Sequence, residues 1–222
     1  MRLALFDLDH TLIPLDSDHA WGEFTVKLGW RDARSFSEAN DGFYADYKAG
    51  TLDIHRYVRF AIEAVREHGQ ASALKAREGF MEQVIAPVMG EPARALLRRH
   101  QSAGDTVVIV TATNEFVTRP IARAFGVDEL IAIELERDAR GEPTGAIHGT
   151  PSFREGKIAR VEQWLAARGL DWSHVQHSTF YSDSINDLSL LEKVHEPVAT
   201  NPDARLRAIA LERGWRTLNL FE

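Results

Sequence analysis

Two aspartates directly follow the first apolar run of the chain, at a spacing that suits catalytic carboxylates. Leu3 to Phe6 read as a short buried strand, and Asp7 and Asp9 come immediately after it. Because side chains alternate faces along an extended strand, both carboxylates project to the same side. Two like charges at the end of a buried strand are costly unless a cation or a proton compensates them. The pair therefore indicates a site for a metal or for proton transfer, although a simple turn after a first strand fits the same residues.

Three further stretches carry reactive side chains in a fixed order along the chain. Thr111 follows an apolar run, Lys157 lies in a polar stretch, and Asp183 and Asp187 follow another apolar run. Together with the first aspartate pair, this order resembles the four motifs of the haloacid dehalogenase-like (HAD) phosphohydrolase superfamily. The region 201–215 looks like the phosphoserine-phosphatase-like branch, subfamily IB. The resemblance spans nearly the whole chain, and the four motifs are specific together where each alone is weak.

The resemblance implies a reaction in which an aspartate is transiently phosphorylated. A phosphomonoester carries close to two negative charges at neutral pH and repels an anionic nucleophile unless a divalent cation neutralises both. By resemblance, Asp7 is the nucleophile that forms an aspartyl-phosphate. Asp9 then protonates the leaving alcohol and later takes a proton from the attacking water. That role requires the pKa of Asp9 to lie above that of an ordinary aspartate.

The acidic residues predict Mg²⁺ as the cofactor, because this ion prefers hard oxygen ligands. The expected ligands are a carboxylate oxygen of Asp7, the main-chain carbonyl of Asp9 and the carboxylate of Asp183. Asp187 is expected to complete the metal site, by holding a metal-bound water or Lys157. Helix capping and compensation of the helix dipole are the alternative for Asp183 and Asp187.

The remaining motif residues are expected to hold the phosphate. Thr111 offers a hydroxyl, and Ala112 and Thr113 offer amides at a predicted helix N-terminus, which together form a phosphate cradle. A plain N-cap is the alternative for Thr111. Lys157 is expected to balance the charge on the nucleophile and on the transferring phosphoryl group.

Three residues are candidates for contact with the rest of the substrate. In phosphoserine phosphatases a glutamate holds the substrate amine and an arginine its carboxylate, and an ungapped count places these positions on Asp16 and Arg59. Asp16 is a shorter acid, and Arg59 lies at helical spacing from another arginine, which also fits a solvated face. His10 departs from the small residue usual in that branch and is expected to touch the leaving group or to fill the loop. Phosphoserine, histidinol phosphate and similar small amine-bearing esters remain the candidate substrates.

The composition fits an enzyme that handles a small metabolite. The chain has 222 residues, 44% of them hydrophobic, a formal net charge of −7 and no cysteine. A negative net charge argues against nucleic acid as a partner, and the lack of cysteine excludes disulfide and thiolate chemistry. No run approaches the length of a membrane span and no signal peptide is visible, so we expect no membrane partner and a cytoplasmic location. A monomer or a homodimer is expected.

Short apolar runs alternate with longer amphipathic segments over most of the chain. This pattern predicts an α/β fold with a doubly wound, mostly parallel sheet. The resemblance implies that this is the Rossmann-like HAD core, over residues 1–15 and 89–222. Predicted strands lie near residues 3–6, 106–110, 130–133, 179–181, 197–199 and 216–218. Residues 16–88 contain no convincing strand, read as helices and are rich in aromatic residues. The resemblance implies that they form a small all-helical cap domain. The insert 134–149 is expected to form a β-hairpin or flap.

These observations predict a Mg²⁺-dependent phosphatase that hydrolyses a small phosphomonoester through an aspartyl-phosphate. Two alternatives remain open at this point. The enzyme could transfer the phosphoryl group to an acceptor other than water, or the chain could be a catalytically silent module that binds a metabolite.

Overall fold

A six-stranded parallel sheet forms the centre of the molecule. The computed structural model describes residues 1–221 of the chain. The sheet has the order β3-β2-β1-β6-β7-β8, and every neighbouring pair of its strands is parallel. Its strands are β1 (Arg2–Phe6), β2 (Thr106–Asn114), β3 (Glu129–Ile133), β6 (His177–Ser182), β7 (Glu196–Thr200) and β8 (Arg216–Leu218). All six predicted strands are confirmed, and β2 extends four residues beyond its predicted end.

The chain order of the strands reverses between β1 and β6. From β1 the sheet continues through β2 to β3 on one side, and through β6 to β8 on the other. In open sheets of this kind a crevice forms beyond the carboxyl ends of the strands at such a switch point. Asp7 directly follows β1, and Asp183 directly follows β6. The topology therefore places the two motif carboxylates side by side.

Helices cover both faces of the sheet, as the doubly wound prediction requires. The helices that cover the two faces are α6 (Glu91–Ser102), α7 (Glu115–Ala124), α8 (Gly156–Ala166), α9 (Leu188–Lys193) and α10 (Ala204–Arg213). Alternating residues of β1 face the two layers: Leu3 and Leu5 pack with side chains of α8, α9 and α10, whereas Ala4 and Phe6 pack with those of α6 and α7. Burial of apolar side chains on both faces explains the continuous apolar character of the strand.

Five helices occupy the segment between β1 and α6. They are α1 (Ser17–Lys27), α2 (Ala33–Ala49), α3 (Ile54–Ala61), α4 (Glu63–His68) and α5 (Gln70–Phe80), followed by a π-helical turn at Met81–Ile85. Asp16, Asp32 and Asp53 are the N-caps of the first three, and each side chain accepts a hydrogen bond from a main-chain amide. Ile62 separates α3 from α4. The assignment of residues 16–88 to a cap domain that is distinct from the core stays a prediction.

A small antiparallel hairpin follows β3. Its strands are β4 (Leu135–Arg137) and β5 (Pro143–Ile147), within the insert expected to form a flap. The hairpin lies against the helical segment: the main-chain amide of Gln70 donates to Glu142 Oε2 at 3.0 Å, and Arg137 donates to Gln70 Oε1 at 3.0 Å. No helix described within residues 1–221 is long and apolar enough to span a membrane.

We expect Gly156→Ala to destabilise the protein by about 1–3 kcal/mol, because α8 begins in close contact with the preceding loop. A Cβ at Gly156 would lie 2.1 Å from the main-chain oxygen of Pro151, and a backbone atom cannot rotate away. Gly42→Ala in α2 is the matched control, because a Cβ there meets nothing within 4 Å. That control should stabilise the protein by about 0.5–1 kcal/mol through helix propensity. Urea denaturation measures both changes, and equal effects at the two sites would contradict the proposed clash.

Candidate active site

The carboxyl ends of β1 and β6 bring together the N-terminal and C-terminal aspartates. The main-chain amide of Asp7 donates to the carbonyl oxygen of Tyr181 at 2.9 Å, which continues the pairing of the two strands. Asp7 is 7% exposed, and Asp183 is half-buried. The chain thus joins residues more than 170 positions apart at one edge of the sheet.

Lys157 lies at the centre of this group as a buried cation. It is 2% exposed, and its Nζ donates to Asp7 Oδ1 at 2.8 Å and to Asp187 Oδ2 at 2.6 Å. The other hydrogen bond to Asp187 Oδ2 comes from Ser182 Oγ at 2.7 Å. Asp187 therefore anchors the lysine amine, and the lysine in turn orients one carboxylate oxygen of Asp7.

The electrostatics of this trio follow from burial and pairing. Burial alone would lower the pKa of Lys157, but the carboxylates of Asp187 and Asp7 outweigh it and raise that pKa. Burial also raises the pKa of Asp7, to about 6, although the Lys157 ammonium opposes the shift. Lys157 is therefore charged at neutral pH and favours the ionised form of the Asp7 carboxyl group, which a nucleophile requires.

Thr11 connects the two aspartates that the resemblance assigns to metal binding. Its buried hydroxyl lies 3.1 Å from Asp183 Oδ1 and 3.4 Å from Asp7 Oδ2. The same oxygen accepts a hydrogen bond from the main-chain amide of Asp183 at 3.1 Å. One side chain thus fixes the relative positions of the two carboxyl groups.

Asp9 lies apart from the lysine and has a different environment. Its Oδ2 accepts from Thr113 Oγ1 at 2.7 Å, and its Oδ1 accepts from the main-chain amide of Ser17 at 3.0 Å. Burial, followed by the nearby carboxylate of Asp16, raises the pKa of Asp9 to about 8. A carboxyl group with this pKa is mostly protonated at neutral pH and can donate a proton.

The Thr111 to Thr113 segment differs from the expected helix N-terminus. These residues belong to the end of β2, and Asn114 is the N-cap of α7, accepting from two main-chain amides. The amide of Thr113 donates to Thr111 Oγ1 at 3.1 Å, and the Thr111 carbonyl accepts from Ser152 Oγ at 2.6 Å. The expectation of an N-terminal cradle at Thr111 was wrong in its local structure, because the strand continues through the motif. The segment, which includes Ala112, nevertheless contacts Asp9 through the hydroxyl of Thr113.

The oxygen atoms at this edge fit a hard divalent cation. The carboxylates of Asp7 and Asp187 share one ammonium group, that of Lys157, and both act on the nearby carboxyl group of Asp183. Burial, then Asp7 and Asp187, raise the pKa of Asp183 well above its usual value, so its ionised form lacks compensation. No group of three His, Asp or Glu side chains that could hold a metal by itself occurs within the described part of the chain. The predicted metal ligands are the carboxylates of Asp7 and Asp183 and the main-chain carbonyl of Asp9, so a cluster of three acidic side chains is not required. These oxygen donors fit Mg²⁺.

Helix α2 contacts the loop that follows β6. The hydroxyl of Tyr47 lies 2.8 Å from Ser184 Oγ, next to Asp183 in the chain. Burial raises the pKa of Tyr47, which keeps the phenol protonated. Helix α1 also reaches the site, because the buried carboxyl group of Asp18 accepts a hydrogen bond from Asn114 Nδ2 at 2.6 Å.

The three predicted substrate residues lie in different surroundings. Asp16 is half-buried near Asp9, and its Oδ1 accepts from the main-chain amide of His19 at 2.9 Å. Arg59 is exposed on α3, where its charge adds to the main-chain hydrogen bonds that lower the pKa of Asp53. His10 is exposed with a φ of 55°, and its carbonyl oxygen accepts from the side chain of Asn201 at 2.9 Å. Contact of these residues with substrate stays a prediction.

Several residues of the site were not expected from the sequence. The sequence predicts no chemical role for Thr11 or Asn114, and no motif signal marks Ser182, Tyr47 or Asp18. The position of Thr11, four residues after Asp7 in a strand-to-helix turn, is the one local signal that could have indicated its place. The others depend on contacts between distant segments.

Comparison with known proteins identifies the family. The model of the haloacid dehalogenase-like hydrolases matches residues 4–192, and the chain belongs to this family. It is 43% identical over 218 residues to a histidinol-phosphatase from Neisseria meningitidis, covering 98% of each chain. It is also 31% identical over 215 residues to a phosphoserine phosphatase from Mycobacterium tuberculosis, covering 96% of this chain and 68% of that protein.

Solved structures confirm the fold. A protein of unknown function from Bordetella pertussis superposes with a TM-score of 0.93 at 48% identity, covering 99% of both chains. A phosphoserine phosphatase in a phospho-aspartyl intermediate analogue form has a TM-score of 0.66 at 17% identity, covering 98% of this chain and 92% of that one. These matches confirm the predicted family, the doubly wound fold and the enzyme class, a phosphatase of the HAD superfamily.

Proposed function

We propose that this enzyme is a Mg²⁺-dependent phosphatase that hydrolyses a small amine-bearing phosphomonoester, histidinol phosphate first among the candidates, through a phosphorylated Asp7. The observation that carries the proposal is the pair of environments around the first two aspartates. Lys157 holds Asp7 as a carboxylate, whereas burial and Asp16 keep Asp9 mostly protonated at neutral pH. A nucleophile and an acid two residues apart are what cleavage of a phosphate ester requires.

In the first half of the reaction, a carboxylate oxygen of Asp7 forms a bond to phosphorus as the bond to the leaving oxygen breaks. Asp9 gives its proton to that leaving oxygen, so an alcohol departs. Lys157 balances negative charge on Asp7 and on the phosphoryl group. The Thr111 hydroxyl is available to the phosphoryl oxygens at the end of β2.

In the second half, Asp9 accepts a proton from a water molecule that attacks phosphorus. The bond between Asp7 and phosphorus breaks, inorganic phosphate leaves, and Asp9 is protonated again for the next cycle. Asp7, Asp183 and the main-chain carbonyl of Asp9 would hold the magnesium ion. When bound, Mg²⁺ neutralises charge on the phosphate and on the attacking carboxylate.

The choice of substrate is supported by the relatives and by the site. The Neisseria relative is described as a histidinol-phosphatase, and the mycobacterial relative is described as a phosphoserine phosphatase. The Asp9, Asp16 and Asp18 carboxyl groups lie near the leaving-group side of the site. A cationic leaving group would stabilise the ionised forms of these buried acids, whereas the carboxylate of phosphoserine would destabilise them. A cytoplasmic location and a monomeric or dimeric state stay predictions from the sequence.

We expect Asp7→Asn to lower kcat for histidinol phosphate by at least about 10⁴-fold, because an amide cannot serve as the nucleophile. EDTA should abolish the activity of the wild type, and added Mg²⁺ should restore it. Release of inorganic phosphate measures both effects. Mass spectrometry of acid-quenched wild-type enzyme should detect phosphate on the peptide that contains Asp7.

Four outcomes would contradict this proposal. Full activity of Asp7→Asn would exclude the covalent route, and activity that is insensitive to EDTA would exclude the metal. Transfer of the phosphoryl group to an added alcohol in preference to water would instead favour a phosphotransferase. Binding of the ester without any turnover would favour a silent binding module.

A further inference from the structure

A cavity of about 280 Å³ lies where α5, α7 and the β4–β5 hairpin meet. Four arginines line it: Arg77 of α5, Arg119 and Arg123 of α7, and Arg137 of β4. One carboxylate, that of Glu115, belongs to the same lining. The chain as a whole has a formal net charge of −7, so this excess of guanidinium groups is local, and the proposed reaction uses none of them.

A break in the hydrogen bonding of α7 holds Arg77 in the cavity wall. Pro120 lies inside this helix and has no amide hydrogen to donate to the carbonyl oxygen of Phe116, four residues earlier. Nη1 of Arg77 donates to that oxygen at 2.7 Å, and the guanidinium carbon lies 4.7 Å from the centroid of the Phe116 ring. The guanidinium group is therefore fixed by its neighbours before any ligand binds.

The charges of Arg77 and Arg123 repel each other. Burial lowers the pKa of Arg77, and the guanidinium of Arg123 lowers it further. The carboxylate of Glu78 opposes this shift, but by a smaller amount. Neither arginine forms an ion pair within residues 1–221, so two neighbouring cations lack full compensation. An anion that contacts both groups would offset this repulsion.

The other two arginines share the single carboxylate of the cavity. Oxygens of Glu115 lie 3.4 Å from a nitrogen of Arg119 and 3.4 Å from a nitrogen of Arg137. Both separations exceed the roughly 2.7–2.9 Å of a strong charge-assisted hydrogen bond, so one carboxylate does not saturate the two guanidinium groups. Nη1 of Arg137 also donates to Gln70 Oε1 and to the carbonyl oxygen of Gly141, each at 3.0 Å, which fixes this side chain of the hairpin.

Apolar side chains complete the cavity wall. Leu74, an exposed apolar residue of α5, lines the cavity together with Phe116 and Pro120. A ligand that matches both kinds of surface has a short carbon body and oxygen anions. The volume of about 280 Å³ is close to the lower end of small-molecule sites, which span roughly 300–1,000 Å³. The cavity therefore suits a small metabolite.

We propose that this cavity is a second binding site, separate from the catalytic aspartates, for a small organic dianion. Its oxygens, from carboxylates or from a phosphate, pair with the guanidinium groups of Arg77 and Arg123, which form two-pronged contacts with either group. Its carbon body lies against Leu74 and Pro120. Because Arg77 belongs to α5 and Arg123 to α7, the bound dianion holds these two helices together.

Titration of the metal-free protein with two dianions tests the site. Succinate carries two carboxylates and ethyl phosphate carries one phosphate group, so the pair distinguishes the two sources of negative charge. EDTA is present throughout, because the carboxylates of the catalytic site repel anions when no divalent cation is bound. Isothermal titration calorimetry at constant ionic strength measures Kd for wild-type protein, for Arg123→Gln and for Arg207→Gln. The last is the matched control, because Arg207 is exposed on α10.

Wild-type protein should bind at least one of the two dianions at a single site with a Kd below about 1 mM, on the order of two charge-assisted contacts. Arg123→Gln should weaken this binding at least about tenfold, and Arg207→Gln less than about twofold. Without ligand, the Tm of Arg123→Gln should equal or exceed that of the wild type, because the repulsion of Arg77 is relieved. This second measurement also shows that the variant is folded.

The outcomes decide the proposal independently of catalysis. Preference for succinate assigns the ligand to the dicarboxylates, and preference for ethyl phosphate assigns it to the phosphate esters. A Kd above about 1 mM for both dianions, or weakening in Arg123→Gln no larger than that in Arg207→Gln, would overturn the site. Either result leaves the proposed phosphatase function as it stands, because that function is tested through Asp7.

Discussion

Replacing Lys157 by methionine is expected to lower the free energy of unfolding by about 3–5 kcal/mol at neutral pH. The ammonium group lies between Asp7 and Asp187 and is 2% exposed. Its removal leaves two buried carboxylates without compensation. Loss of the charge opposite the nucleophile should also lower kcat by about 10²–10³-fold. Urea denaturation in EDTA measures the first effect, and phosphate release with Mg²⁺ the second.

A second substitution separates the electrostatic cost from the loss of packing. In Lys157→Met combined with Asp187→Asn, one of the two uncompensated charges is absent. The double variant should therefore be more stable than Lys157→Met alone, although Asp187→Asn by itself should be destabilising. If the double variant is no more stable than Lys157→Met, charge burial does not explain the loss. Lys157→Arg keeps the charge and serves as the control for activity.

Asp9→Asn is expected to have opposite effects on activity and on stability. The amide cannot give up a proton, so kcat should fall by about 10²–10⁴-fold. Its oxygen can still accept from the amide of Ser17, and its nitrogen can donate to Thr113 Oγ1, in place of the bonds that Asp9 makes. The amide thus resembles the protonated carboxyl group, which is the form that the folded protein favours.

The stability gain should depend on pH in a defined direction. The folded-state pKa of Asp9 is raised from 3.8 to about 8, so its protonated form stabilises the fold fully below pH 4. That contribution is lost as the pH rises through about 8. In metal-free protein, Asp9→Asn should therefore match the wild type near pH 4 and exceed it by about 1–2 kcal/mol above pH 8, a reduced figure because the carboxyl group is partly exposed. A difference that is constant from pH 4 to pH 9 would contradict the raised pKa.

The strands and the motif order could be predicted from the sequence because their signals are local. Each strand of the parallel sheet is buried on both faces, so it reads as an apolar run that ends in a polar motif residue. Asp7, Thr111 and Asp183 were identified in this way, whereas Lys157 was identified from the order of the motifs. The end of β2 was missed because Thr111 to Thr113 are polar, although threonine is a common strand residue.

The contacts between distant segments could not be predicted in the same way. Thr11 contacts Asp183 and Tyr47 contacts Ser184, and in each pair more than 130 residues separate the two partners in the sequence. Their side chains are ordinary in local context, since threonine and tyrosine occur in turns and helices for many reasons. Asp18 is similar: its position in the first turn of a helix is explained by the helix dipole, and only the structure shows that it accepts a hydrogen bond from Asn114.

The central position of β1 has a consequence for the growing chain on the ribosome. β1 pairs on one side with β2 and on the other with β6, which lies about 170 residues later in the chain and ends at Ser182. One edge of β1 therefore stays open until β6 has been synthesised, and the contact of Asp7 with Tyr181 can form only then. Nascent chains that end before β6 have an exposed apolar strand edge, which is a site for aggregation or for chaperone binding.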